Sequence, residues 1–315
     1  DDPTVTRLEE LAAESLGKEA AIFVPSGTMG NSIAVGTHCN PGDEVIFESL
    51  CHTYNFECAG AARLWGVQAV SIAGDRGVIP VDAIATAIRP DDVHMARTKL
   101  VILEQTSNIA GGCILPLDYL EAVSSLCRER GLRLHIDGAR IFNASIASGV
   151  EVSSFAACAD TVMFCLSKGL GAPAGSVLAG SAETIAEARR LRKLLGGGLR
   201  QAGVLAACGI YALGHNIERL GEDHRHAAEL AAKLEELNLE GLRISSPDTN
   251  MVFLGWDGED PGRYAEFSNR LRSDGLLVVG LPGRGIRIVF HKDANDDAAA
   301  RAAGILSSNL TELFS

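Results

Sequence analysis

Short apolar runs alternate along this chain with longer segments in which apolar residues recur at three- and four-residue intervals. The runs at 44–47, 68–72, 99–103, 133–136, 161–166 and 176–178 have the length and content of buried strands. The periodic segments at 28–37, 82–87, 117–130 and 182–195 read as helices. This alternation predicts an α/β fold: a large, mostly parallel sheet with helices on both faces. Ligands bind such sheets beyond the carboxyl ends of the strands. Polar residues just past strand ends are therefore the first candidates for chemistry.

The pattern changes near residue 220. An Ala/Glu/Lys-rich helix at about 222–236 leads to short strands at 250–255 and 285–290 and a final helix. This predicts a large domain over 1–220 and a smaller α+β domain over 221–315. There is no internal repeat, low-complexity tract or Ser/Gly linker, so the two are expected to be rigidly joined.

Composition narrows the partners. The 315 residues are 47% hydrophobic and 22% charged, an ordinary globular balance. Lys and Arg number 28 against 40 Asp and Glu, for a net charge of −12, and no long basic run occurs. Nucleic acid is thus excluded as an expected partner, although the cluster at 189–193 has enough charge for a small anion. No apolar stretch reaches the ~20 residues of a membrane helix, and the acidic, polar start shows no signal peptide. The eight cysteines form no Cys-x-x-Cys pair and sit mostly in apolar runs. They read as reduced thiols of a soluble cytoplasmic protein, with neither disulfides nor a metal site expected.

Five segments carry candidate chemistry. In 164–173 an apolar strand runs into Ser167-Lys168 and a glycine-rich turn. A lysine at the rim of a buried sheet is depressed in pKa by desolvation, as a Schiff-base lysine requires; a solvated turn lysine is the equal alternative. In 134–140, Asp137 closes a strand ahead of Gly138, Ala139 and Arg140. Such a carboxylate can hold a pyridinium nitrogen protonated or simply cap a helix. Ser26, Gly27, Thr28 and Met29 open a helix, whose N-terminus suits a phosphate or needs only an ordinary cap. The pattern is neither a Walker nor a dinucleotide motif, which disfavours ATP and NAD. His52 follows the strand at 45–47 and can stack on a flat ring, act as a base or be structural. Gly196, Gly197 and Gly198 precede Arg200, as a close-approach loop or a plain helix end.

Taken in this order, the segments resemble the low-specificity threonine aldolases, pyridoxal-phosphate enzymes of aspartate-aminotransferase-like fold type I. The resemblance runs nearly the whole chain and is strongest at 135–140, 167–173 and 196–201. It implies that Lys168 attaches pyridoxal 5'-phosphate, that Asp137 faces the pyridine nitrogen, and that Gly27, Thr28 and Met29 cradle the phosphate. It implies that His52 stacks on the ring with Glu57 nearby, and that Arg140 and Arg287 bind the substrate carboxylate, Arg140 also lying by the cofactor. Arg200 is expected to reach the phosphate of a neighbouring subunit in a homotetramer, a dimer of dimers with shared sites.

The implied activity is cleavage of L-threonine, L-allo-threonine or a related β-hydroxy-α-amino acid to glycine and an aldehyde, with His52 as first candidate for the base. Another reaction of the same cofactor (racemisation or β-elimination) and a non-catalytic scaffold are the alternatives. Two departures stand out. Thr106-Ser107-Asn108 replaces the family's usual Thr-His-Asn at the substrate side. Members also usually begin with a further segment of about one helix, so the chain is either trimmed or lacks those contacts.

Overall fold

The computed structural model describes residues 2–256, 261–281 and 285–314. It divides into two compact units, Asp1–Glu218 and Arg219–Ser315. The first runs α1 (Pro3–Leu16), β1 (Ala20–Val24), α2 (Gly27–His38), β2 (Glu44–Glu48), α3 (His52–Asn55), α4 (Gly60–Trp65), β3 (Gln68–Ile72), α5 (Val81–Ala87), β4 (Thr98–Glu104) and α6 (Leu117–Arg130). It continues with β5 (Arg133–Asp137), α7 (Ile141–Ser148), α8 (Val152–Ala157), β6 (Thr161–Cys165), β7 (Ser176–Gly180), α9 (Ala182–Leu194) and α10 (Gly203–His215).

Its seven-stranded sheet has the order β1-β7-β6-β5-β4-β2-β3. β3, β2, β4, β5 and β6 run parallel, while β7 is antiparallel to both β6 and β1. The expected α/β class with a mostly parallel sheet is the fold observed. Every residue of β2, β6 and β7 is buried, which is why their centres read as apolar runs rather than alternations, even though β2 begins and ends on buried Glu44 and Glu48. Because the five parallel strands share a direction, Glu48, Glu104, Asp137 and Lys168 all lie at or just past carboxyl ends on one edge.

Seven elements of this unit go beyond the predicted pattern: α1, β1, α3, α4, α7, α8 and α10. β1 is a buried five-residue apolar run that pairs with β7, Ala20 opposite Gly180; the pairing itself, across some 155 residues, is not written in local periodicity. α1 is set locally: Asp2 Oδ1 accepts from the Thr4 N–H at 2.8 Å, Pro3 takes the first turn, and Gly17 closes the helix at φ 62°.

α2 packs hard on the sheet. A Cβ at Gly30 would lie 2.7 Å from Met163 Cγ on β6, so only glycine permits this approach. Ile33, Ala34 and Val35 bury the same stretch of helix. The approach brings the polar side chain of Asn31 down onto β5.

The second unit comprises α11 (Leu220–Glu235), β8 (Leu242–Ile244), β9 (Met251–Trp256), α12 (Pro261–Ser273), β10 (Val279–Leu281), β11 (Gly285–Val289) and α13 (Asp296–Leu313). Its four strands form an antiparallel sheet in the order β10-β11-β9-β8, an α+β unit as expected. Leu230, Leu234, Leu254, Trp256, Phe267 and Leu306 belong to its core. Among the described residues no helix is long and apolar enough to cross a membrane. No disulfide joins the eight cysteines; six are buried, Cys208 is half-buried and Cys58 is exposed.

Candidate functional site

A cleft of about 370 Å3 opens at the carboxyl edge of the large sheet. It collects residues far apart in sequence: Gly27 and Thr28 from the start of α2, His52 from α3, Glu57 just beyond it, Asp137 from the end of β5, and Lys168 after β6. Each position follows from a strand end or helix start. β5 ends at Asp137 because the chain turns at Gly138, whose N–H donates to the Met163 carbonyl at 2.8 Å. α2 begins at Gly27 because the Ser26 hydroxyl caps it, accepting from the Met29 N–H at 3.2 Å.

Asp137 is buried and well supplied with donors. Its Oδ2 accepts from Asn31 Nδ2 at 2.8 Å and from the Thr53 hydroxyl at 3.2 Å, and its Oδ1 from the Ala139 N–H at 3.2 Å. Three donors thus converge on this one carboxylate. Asn31 Nδ2 also donates to Glu57 Oε1 at 2.9 Å. One amide thus spends both N–H bonds on two carboxylates.

Glu57 is buried, and that burial pushes its pKa up, opposed by hydrogen bonds from His52 and Asn31. His52 Nδ1 lies 3.0 Å from Glu57 Oε1. A carboxylate only accepts, so Nδ1 carries the proton and Nε2 keeps its lone pair when the ring is neutral. The donor atoms of His52, Glu57 and Asp137 come within 4.8 Å of one another, a spacing that would also suit a cation. These carboxylate oxygens are already engaged by Asn31, Thr53 and His52 itself.

A further carboxylate, Glu104, closes β4. Its Oε2 accepts from the His52 N–H at 3.3 Å. Burial pushes its pKa well above the ordinary value and the Asp137 charge adds to this, with Lys168 and Arg140 opposing.

The structure therefore brings Lys168, Asp137, His52, Glu57, Gly27 and Thr28 together. Met29 faces an adjoining apolar groove with Leu64 and Leu195. Arg140 follows Ala139 at the cleft floor, and its N–H donates to the Gln105 carbonyl at 3.4 Å. Ser107 is buried elsewhere on its loop: a Cβ at Gly77, where φ is +88°, would lie 2.5 Å from Ser107 Cβ. Arg200 is exposed and lines a different cavity with Glu9, Arg189 and Arg192. Arg287 stands on β11 in the second unit, and its assignment to the substrate carboxylate rests on the resemblance.

Asn31, Thr53 and Glu104 were not identified from sequence. Asn31 had a signal: a polar residue one turn after Thr28, ahead of three buried apolar positions. Thr53 and Glu104 had none beyond adjacency to His52 and to a strand end.

The donor set fits a flat, phosphorylated heteroaromatic aldehyde. A primary amine, a buried carboxylate, an imidazole and the N-terminus of a 12-residue helix share one cleft, and first-turn N–H groups have no acceptor within their own helix.

The Beta-eliminating lyase family matches residues 1–257. The Low specificity L-threonine aldolase of Escherichia coli (strain K12) is 45% identical over 304 residues, covering 96% of this chain and 88% of that protein. A Probable low-specificity L-threonine aldolase 2 of Arabidopsis thaliana is 44% identical over 301 residues, covering 94% and 84%. The solved Leishmania major threonine aldolase superposes with a TM-score of 0.82 at 24% identity, over 99% of this chain and 89% of that one.

Proposed function

The chain belongs to the β-eliminating lyase family, and from that premise we propose that it is a pyridoxal-phosphate-dependent aldolase. It splits L-threonine, L-allo-threonine or a related β-hydroxy-α-amino acid between Cα and Cβ, giving glycine and an aldehyde. The observation that carries this reading is the convergence of Lys168, Asp137, His52 and the turn at 26–28 on one cleft. The similarity to proteins named low-specificity L-threonine aldolases selects the reaction.

When bound, pyridoxal 5'-phosphate supplies an electron-poor ring that accepts the electron pair released at Cα. Lys168 provides the amine that attaches it. Asp137, fixed by Asn31, Thr53 and the Ala139 N–H, would face the ring nitrogen and favour a proton there. Gly27, Thr28 and the positive end of α2 bind the phosphate. His52, its Nδ1–H anchored on Glu57, would stack on the bound ring and offer Nε2 to the proton of the substrate's β-hydroxyl. Arg140 takes the substrate carboxylate, which decides the Cα bond that stands in the breaking direction.

The same reading includes a dimer of dimers in which Arg200 serves a neighbour's phosphate. Its exposure, away from the cleft of its own chain, supports that role. It also includes a domain boundary after residue 220 and a reducing, cytoplasmic setting for the free cysteines.

The test is product analysis of the cofactor-loaded protein with L-threonine. Glycine and acetaldehyde in equal amounts are expected. Ammonia with a keto acid would reassign it to β-elimination, and loss of optical purity without cleavage would reassign it to racemisation. A protein that retains no pyridoxal phosphate would refute the reading.

A further inference from the structure

His135 stands two residues before Asp137 on the same strand, fully buried, with no role in the chemistry above. Its surroundings form a continuous hydrogen-bonded path. His135 Nε2 is 3.1 Å from Asn31 Oδ1, and His135 Nδ1 is 2.9 Å from the Thr161 hydroxyl and 3.2 Å from the Thr161 carbonyl. The Thr161 hydroxyl is in turn 2.9 Å from His38 Nε2. The fold builds this path. His135 and Thr161 are register partners on β5 and β6. Asn31 and His38 lie seven residues apart on α2, so they share one face.

Each proton on the path can be assigned. Asn31 Nδ2 faces two carboxylate oxygens, which only accept, so the amide's Oδ1 faces His135. His135 Nε2 must therefore carry a proton. Burial holds the pKa of His135 down at about 4, so the ring is neutral and Nδ1 is a bare acceptor. Only the Thr161 hydroxyl can donate to it, since the other neighbour is a carbonyl. That hydroxyl's oxygen then accepts from His38 Nε2–H. Every donor on the path points inward, from the half-buried His38 to Asp137 and Glu57.

We propose that His135 is a positioning residue, and that the Thr161 hydroxyl, by setting its tautomer, locks the amide of Asn31 with both N–H bonds toward Asp137 and Glu57. Without that hydroxyl, Nδ1 faces a carbonyl alone and gains by carrying the proton itself. Nε2 then becomes an acceptor turned against Asn31 Oδ1. The amide flips, and its oxygen is driven toward the two carboxylates. Asp137 loses its shortest donor, and with it part of its charge stabilisation at the cleft. The consequence for the cofactor rests on the proposed reading of Asp137 as partner of the ring nitrogen; the tautomer does not.

The experiment is 15N NMR of histidine-labelled holoenzyme, with the His135 signals assigned by their loss in His135→Gln. In parallel, the dissociation constant for pyridoxal phosphate is measured for wild type, Thr161→Val and Thr161→Ser. Wild type is expected to be protonated at Nε2. The valine variant, equal in shape, moves the proton to Nδ1 and weakens cofactor binding about ten- to a hundredfold, the worth of one hydrogen bond to a charged group. The serine variant keeps the hydroxyl and restores both. A wild-type ring protonated at Nδ1 overturns the proposal without any variant. So does a valine variant with wild-type tautomer and affinity. A wild type that binds no pyridoxal phosphate sinks the functional reading instead, and leaves the tautomer measurement valid.

Discussion

A neutral histidine buried in the sheet makes the protein acid-sensitive by an amount that can be worked out. His135 has a pKa of about 4 against an ordinary 6.5, with burial as the main cause and the nearby His38 adding to it against the pull of Asp137. The folded pKa is depressed, so this contribution to stability is whole above 6.5 and drains away as pH falls toward 4. At about pH 5 the loss is roughly 2 kcal/mol, from about 1.4 kcal/mol per pH unit over the interval below 6.5. His38 is lowered to about 4 as well, but its partial exposure makes its share smaller. The perturbation is His135→Gln, whose amide keeps one donor and one acceptor but cannot titrate. Urea unfolding of both proteins, equally loaded with cofactor, is compared at about pH 7.5 and pH 5. With a slope of about 2–3 kcal/mol per molar urea, the wild-type midpoint should fall by roughly 0.7–1 M more than the variant's. Equal falls in the two proteins would refute the argument, because the acid sensitivity would then belong to the carboxylates alone.

Other substitutions test the site directly. Lys168→Ala is expected to abolish both turnover and the yellow colour of the lysine-bound cofactor while leaving the far-ultraviolet circular dichroism unchanged; retained colour would exclude Lys168 as the attaching amine. Arg200→Ala is expected to weaken pyridoxal phosphate binding about tenfold or more through loss of a charge-assisted hydrogen bond, and a fully active monomer in equilibrium ultracentrifugation would remove its shared role. Ser107→His is expected to raise discrimination between L-threonine and L-allo-threonine by up to about tenfold. It should also lower stability by about 1–3 kcal/mol, since Ser107 is packed against Gly77; kcat/KM ratios and thermal melting read the two effects separately.

Local patterning along the chain was enough to place most elements of the large sheet and the main chemical parts. Burial on both faces writes most of β2, β4, β6 and β7 as apolar runs, so their succession along the chain and the α/β class could be read from local patterning. Lys168 and Asp137 were legible because each directly follows or ends such a run, at the edge where parallel sheets hold ligands. Gly27 and Thr28 were legible as a helix start. Only the tertiary structure decided what lies between these parts. β1 is a short apolar run like the others, but nothing local says that it pairs with β7, about 155 residues away. Asn31, Thr53 and Glu104 are ordinary residues until the close seat of α2 on β6, allowed by Gly30, brings Asn31 to Asp137. Ser107 occupies a position that chain order marks for the substrate side, yet its immediate packing is with Gly77. The division has one physical cause. Periodicity records which face of an element is buried, whereas hydrogen-bond partners, protonation and the direction of a proton path depend on atoms brought within about 3 Å by distant parts of the chain.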